Sequence, residues 1–119
     1  MEKVINIDGK SVPFKATAGT IRQYRARFSR DLLMDFQKLQ KETNADQPLT
    51  ANTLTVFENL AFTMAKQADP SIPDTPDEWL DGFEMFSIYT VLPELVSLWI
   101  ASQAPTVTQK KGQPQQTGL

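Results

Sequence analysis

The sequence contains no cysteine and no histidine. Without cysteine there is no disulfide and no thiolate metal site. Without histidine the chain lacks the commonest general base and the commonest metal ligand. Its five glycines are scattered, so no glycine-rich loop is built to cradle a phosphate. No apolar run approaches the ~18 residues that cross a membrane. The N-terminal Met-Glu-Lys-Val-Ile-Asn carries charge inside its first apolar stretch and shows no cleavage site, which is not a signal peptide. The expectation is a cytoplasmic protein that is not an enzyme, with no cofactor, no metal, no membrane association and no small-molecule substrate. The densest carboxylate group, Asp77, Glu78, Asp81 and Glu84, reads first as a helix start, where acids complement the macrodipole.

What is present is a composition for one ordinary domain: 119 residues, 40% hydrophobic and 22% charged. The net charge of -2 hides an asymmetry. Residues 1–30 hold seven Lys/Arg against two acids, while residues 31–104 hold three against twelve. A basic first third on an acidic body favours charged partner surfaces or head-to-tail self-association. It does not favour nucleic-acid binding, although Arg22, Arg25, Arg27 and Arg30 with Lys10 and Lys15 carry enough charge to meet phosphates.

The chain opens with two β-rich runs around Asp8-Gly9, a hairpin spanning about residues 3–15. Pro13 puts the second strand at an edge. Helices follow over about residues 18–100. Thr17 or Thr20 caps the first, whose apolar face is Ile21, Tyr24 and Phe28, with the four arginines spread around the other side. Ser29 breaks it and Asp31 starts another, with Leu32, Leu33, Phe36 and Leu39 inward; one continuous helix is the alternative. Thr43 to Pro48 is a polar connection. A helix from about Thr50 to Ala68 carries a broad stripe that includes Leu54, Phe57, Leu60 and Met64. Asp69 to Asp74 is a breaker loop. Thr75-Pro76-Asp77-Glu78 supplies a cap, a first-turn proline and a capping-box acid for a short helix ending near Gly82. The last helical region, about Glu84 to Ala101, is kinked or restarted at Pro93. The fold class is therefore mainly α with a small N-terminal β-hairpin (α+β): a compact helical domain of about four to five helices over residues 1–101. Residues 102–119 form a flexible, disordered polar tail with almost nothing to bury.

Eleven aromatics (seven Phe, two Trp, two Tyr) and four Met are more than one small core always hides. Most of them read as core, with a remnant patch left for a partner. The candidate partner-binding residues are the arginines Arg22, Arg25, Arg27 and Arg30 and the aromatics Trp79, Phe83 and Trp99.

The order of these blocks resembles a known family. The hairpin Val4 to Lys15 is followed by Thr20-Ile21-Arg22-Gln23-Tyr24-Arg25 and Phe28-Ser29-Arg30-Asp31-Leu32. Then come Leu60-Ala61-Phe62-Thr63-Met64-Ala65-Lys66, Glu78-Trp79-Leu80-Asp81-Gly82-Phe83 and Leu92-Pro93-Glu94-Leu95-Val96-Ser97-Leu98-Trp99. Over residues 3–100 this is similar to the tail assembly chaperones of long-tailed bacteriophages and prophages, especially those of Gram-positive hosts. The departure is Ser29, where the family often has Gly.

The resemblance implies a protein that acts in the host bacterial cytoplasm during tail morphogenesis and is absent from the mature virion. It implies that the chain coats and solubilises the tape measure protein, self-associates on it, and gives way to subunits of the major tail (tube) protein. It also implies a second, longer product made by programmed frameshift. Gln109-Lys110-Lys111 in the tail is a stretch that an A-AAA-AAG slippery run would encode. Two other readings stand beside this one: a structural tail or connector component retained in the virion, and a small DNA-binding regulator.

Overall fold

Each turn and cap is set by a short-range signal, and the elements then close around one central helix. The computed structural model describes residues 1–45 and 48–103 of the chain. Strands β1 (Glu2–Ile7) and β2 (Lys10–Lys15) pair antiparallel, with Ile7 opposite Lys10 and Ile5 opposite Val12. Asp8 and Gly9 between them take φ of 55° and 77°. Two successive positive φ values match the right-handed twist of the strands, and Gly takes the second without a Cβ penalty. Alternation then turns Ile5, Ile7, Val12 and Phe14 inward and leaves Val4 61% exposed. Pro13 lies opposite Val4, a pair that alternates with the hydrogen-bonded ones counted from the turn, so its missing N–H falls on the free edge.

Five α-helices and one 3-10 turn follow, so the fold is mainly helical with an N-terminal hairpin. Helix α1 (Ala18–Phe28) starts at a reciprocal cap: the Thr17 side chain accepts from the first turn, and Thr17 N–H donates to Thr20 Oγ1 at 2.9 Å. Thr17 is thus the cap and Thr20 its partner. The helix stops at Ser29 in the left-handed region, φ 56° and ψ 39°, and α2 (Leu32–Asn44) restarts behind the Asp31 side chain. The expected pair of helices with a bend is what forms, not a single long helix.

Helix α3 (Ala51–Ala68) is the hub. Thr50 caps it, and Phe57, Leu60, Phe62 and Met64 are essentially inaccessible. It packs against β2, α1, α2 and α4. Short α4 (Pro76–Leu80) begins at Thr75, which accepts from Glu78 N–H, with Pro76 in the first turn. The capping box is incomplete: Thr75 Oγ1 donates to Glu78 Oε1 at 3.2 Å, so the glutamate meets the hydroxyl and not the backbone N–H. The last helical region divides into a 3-10 turn (Ser87–Val91) and α5 (Leu92–Gln103), with Pro93 in the first turn of α5. This is the restart option; at that position proline's missing donor costs nothing.

Among the described residues the elements share one core of 23 buried apolar side chains, extended by half-buried Ile21, Phe28 and Phe83. Two expected inward positions differ. Leu33 is 46% exposed and Leu54 only half-buried. In α2 the inward positions are 32, 35, 36 and 39, and Leu33 lies about 100° around the helix from Leu32. The expected disorder of residues 102–119 lies outside the described residues, apart from the backbone of α5 to Gln103, and so does the proposed slippery run.

Candidate functional site

The four arginines do not form one uniform face. Arg22 and Arg25 sit one turn apart on α1, exposed, and their side chains make no hydrogen bond or ion pair among the described residues. Arg27 donates to the Asp74 carbonyl at 3.1 Å and its guanidinium lies 5.1 Å from the Phe62 ring centre. Arg30 is fully engaged: Nε and Nη2 reach the two oxygens of Asp35 at 2.7 and 2.8 Å.

That Asp35 is the buried pivot of the α1–α2 elbow. It is 6% exposed and also accepts from the fully buried Tyr24 hydroxyl at 2.9 Å. The Arg30 guanidinium holds its carboxyl below the usual carboxylate range, against the opposing effect of burial. Burial, and then the hydrogen bond to Asp35, push the Tyr24 hydroxyl well above its ordinary value. The result is a charge-assisted three-residue network that fixes the angle between the two helices. Beside it lies a cavity of about 330 Å³, lined by Ile21, Arg25, Ser29 and Leu33 among others. Met34, the next residue of α2 after Leu33, is 67% exposed.

Trp79 and Trp99 are core residues, 5% and 3% exposed, and neither is available as a surface anchor. Trp79 is the centre of an aromatic cluster with Phe14, Phe62 and Phe83 at 5.2–6.4 Å between ring centres. Trp99 stacks at a tilt on Phe36 at 5.2 Å, and its indole N–H has no hydrogen-bond partner among the described residues. Phe83 is half-buried under Lys10, whose ammonium lies 5.6 Å from the ring centre.

The exposed apolar side chains lie next to these residues. Met85 and Phe86 are 79% and 72% exposed, on the loop between α4 and the 3-10 turn. The hairpin turn straps that loop in place. Asp8 accepts from the Glu84 N–H at 2.8 Å and from the Ser87 hydroxyl, and Lys10 Nζ donates to the Gly82 carbonyl at 2.8 Å. The Ser87 bond, then the Glu84 N–H, hold the Asp8 carboxyl below its usual range. Along this loop Asp81, Glu84, Met85 and Ile88 line a second cavity of about 270 Å³. Tyr89 at its rim donates to Glu58 at 2.5 Å, and that bond raises its hydroxyl pKa to about 12.

In the sequence Phe86 counts only within the eleven aromatics, Leu33 is placed inward, and neither Met34 nor Met85 is singled out. Two signals point to them. Met34 falls off the inward spacing of α2, and Met85-Phe86 follows the helix stop at Gly82 without a helical stripe of its own. Among the described residues no group of three or more Asp or Glu is placed to hold a metal ion, and no helix is long and apolar enough to cross a membrane. Comparisons with protein-family models, with curated proteins and with solved structures find no match to this chain.

Proposed function

We propose that the chain is a tail assembly chaperone of a long-tailed bacteriophage or prophage. It binds the tape measure protein in the host cytoplasm, keeps it soluble, and yields it to polymerising tube subunits without entering the finished virion. A longer frameshifted form accompanies it. The block order over residues 3–100 motivates the family. The observation that carries the binding role is the pair of exposed apolar patches, Leu33/Met34 and Met85/Phe86, on a rigid helical body.

The physics of such a role asks for many weak, replaceable contacts. Methionine is flexible and polarisable, so it adapts to varied apolar helix faces. Weak binding per subunit lets tube protein displace the coat, while many copies on one long partner give occupancy. The engagement of Arg27 and Arg30 within the fold counts against a phosphate-binding arginine face. A mainly helical body supports a chaperone over a β-rich tube component.

Co-expression with a long helical tape measure protein, sought beside the gene, tests the reading. The expected result is a several-fold rise in the soluble fraction of that protein, reduced when Met34, Met85 and Phe86 are changed to Ser. No rise with the wild-type chain overturns it. Mass spectrometry of purified particles separates the structural alternative, because a retained component is found there and a chaperone is not.

A further inference from the structure

Two strands leave two edges, and this hairpin guards only one of them. The residues of β1 that pair with β2 are the odd ones. Ile7, Ile5 and Lys3 face Lys10, Val12 and Phe14, and Met1 and Ala16 continue the ladder with two bonds of 2.8 Å. By alternation the backbone N–H and C=O groups of Glu2, Val4 and Asn6 point outward from β1, and those of Ser11, Pro13 and Lys15 point outward from β2. On β2 the middle donor is missing, because proline has none. On β1 all three donors are present. These three residues are exposed, and no described residue bonds to their backbone groups. The register runs from Glu2 to Ile7 without a bulge, and the one lysine of the strand, Lys3, reaches to Glu94 at 3.5 Å. Proline, bulge and free lysine, the usual devices that blunt an edge, are therefore absent from β1.

We infer that the outer edge of β1 takes up an extended segment of another protein as a third, antiparallel strand. The backbone groups themselves select the occupant. They recur about every 7 Å, a spacing that an extended backbone matches and a helix, whose own groups are used internally, does not. The side chains above them refine it. Val4, 61% exposed, favours a β-branched residue opposite. Glu2 makes no ion pair among the described residues and favours Lys or Arg opposite. Antiparallel pairing then places the basic residue two positions after the β-branched one. A second copy of this chain fits less well, since pairing through Val4 brings Asn6 to Glu2 and no cation. A six-residue edge also covers on the order of a few hundred Å², short of the roughly 1,200 Å² that holds two folded bodies together. The contact uses neither apolar patch and needs no tape measure protein, so it stands or falls apart from the chaperone reading.

Amide exchange and an NMR titration of the full chain test this, with the peptide acetyl-Thr-Thr-Val-Thr-Lys-Thr-amide as the probe. In the free chain the Val4 and Asn6 amides are expected to exchange fast, and those of Ile5 and Ile7 slowly. Peptide should shift and protect Val4 and Asn6 and leave Ile5 unchanged. N-methylation of the peptide at Val and Lys, whose amides face β1, should weaken binding roughly tenfold or more. N-methylation at its second and fourth residues, whose amides face away, should not. Val4→Pro removes the central donor of the edge and no bond of the β1–β2 ladder, so it should weaken binding as strongly with helix content unchanged by circular dichroism. Val4 and Asn6 amides already protected in the dilute free chain overturn the inference, because the edge is then covered from within. Protection that grows with chain concentration alone also overturns it, because the occupant is then a second copy. No shift at millimolar peptide, or equal loss from the two methylation patterns, overturns it as well.

Discussion

The α1–α2 elbow and the 81–86 loop both turn apolar side chains to solvent, yet they are held by different means. At the elbow the lock is inside: Asp35 is 6% exposed and joins Tyr24 on one helix to Arg30 in the connection. At the loop the lock is outside, made by exposed side chains of the hairpin turn, Asp8 and Lys10, reaching 76 and 72 residues along the chain. A buried lock is part of the core, so breaking it costs global stability. An exposed lock competes with water, so breaking it frees the loop and little else. One surface is therefore expected to be fixed and the other adjustable.

The largest effect that probes this difference is at the elbow. Asp35→Ala leaves a buried tyrosine hydroxyl and a guanidinium without their acceptor, and is expected to cost about 3 kcal/mol, read as a fall in the urea midpoint. The same carboxyl gives the elbow a pH dependence. Its folded pKa lies below the ordinary 3.8, so the fold prefers the ionised form. That stabilisation is complete above about pH 4 and is lost as pH falls through the lower folded value. Asp35→Asn should remove part of the acid-induced loss. Only part is removed, because Asp8, Glu42, Asp69 and Asp74 are also held low by hydrogen bonds in the fold. An Asp35→Asn variant with an unchanged acid profile would place the elbow lock outside the stability of the core.

Next in size is Asp8→Ala. The Glu84 amide loses its acceptor and should exchange with solvent many-fold faster, with earlier protease cleavage near Met85 and little change in Tm. An equal loss of global stability from Asp8→Ala and Asp35→Ala would erase the distinction between the two locks.

What was legible in the sequence follows the same division. Asp8-Gly9, Asp31 and Thr75-Pro76 act within a few residues of themselves, so the hairpin, these helix starts and an interruption near Pro93 (kink or restart) are legible from spacing. Asp35 is not. Its neighbours in sequence are those of an ordinary amphipathic helix, and its burial exists only because Tyr24 and Arg30 arrive from across the bend. Trp79 and Trp99 stand as surface candidates in the sequence because aromatic number alone does not say which rings the core absorbs. Trp79 is buried by Phe14 and Phe62, 65 and 17 residues away in sequence. Leu33 looks inward in the sequence because two adjacent leucines both suit an apolar stripe, and only the rotation of the helix on α3 decides between them.

The smallest effect lies at the joint of the elbow. Ser29 holds φ 56°, a left-handed conformation that costs a non-glycine residue roughly 1 kcal/mol. Its position at the end of α1 demands that geometry, because its N–H closes on the Arg25 carbonyl at 2.8 Å while the chain turns toward Asp31. Its hydroxyl makes no hydrogen bond to another described residue, so nothing compensates the strain. Glycine removes the strain but adds freedom to the unfolded chain, an opposing effect of roughly 0.5–1 kcal/mol. The expected outcome for Ser29→Gly is a gain of a few tenths of a kcal/mol, seen as a slightly higher urea midpoint with unchanged slope. The Arg30–Asp35 pair should be untouched, so the acid dependence of stability stays as in wild type. A clear loss of stability would mean that the serine Cβ helps hold the elbow, and that the joint, like Asp35, belongs to the buried lock.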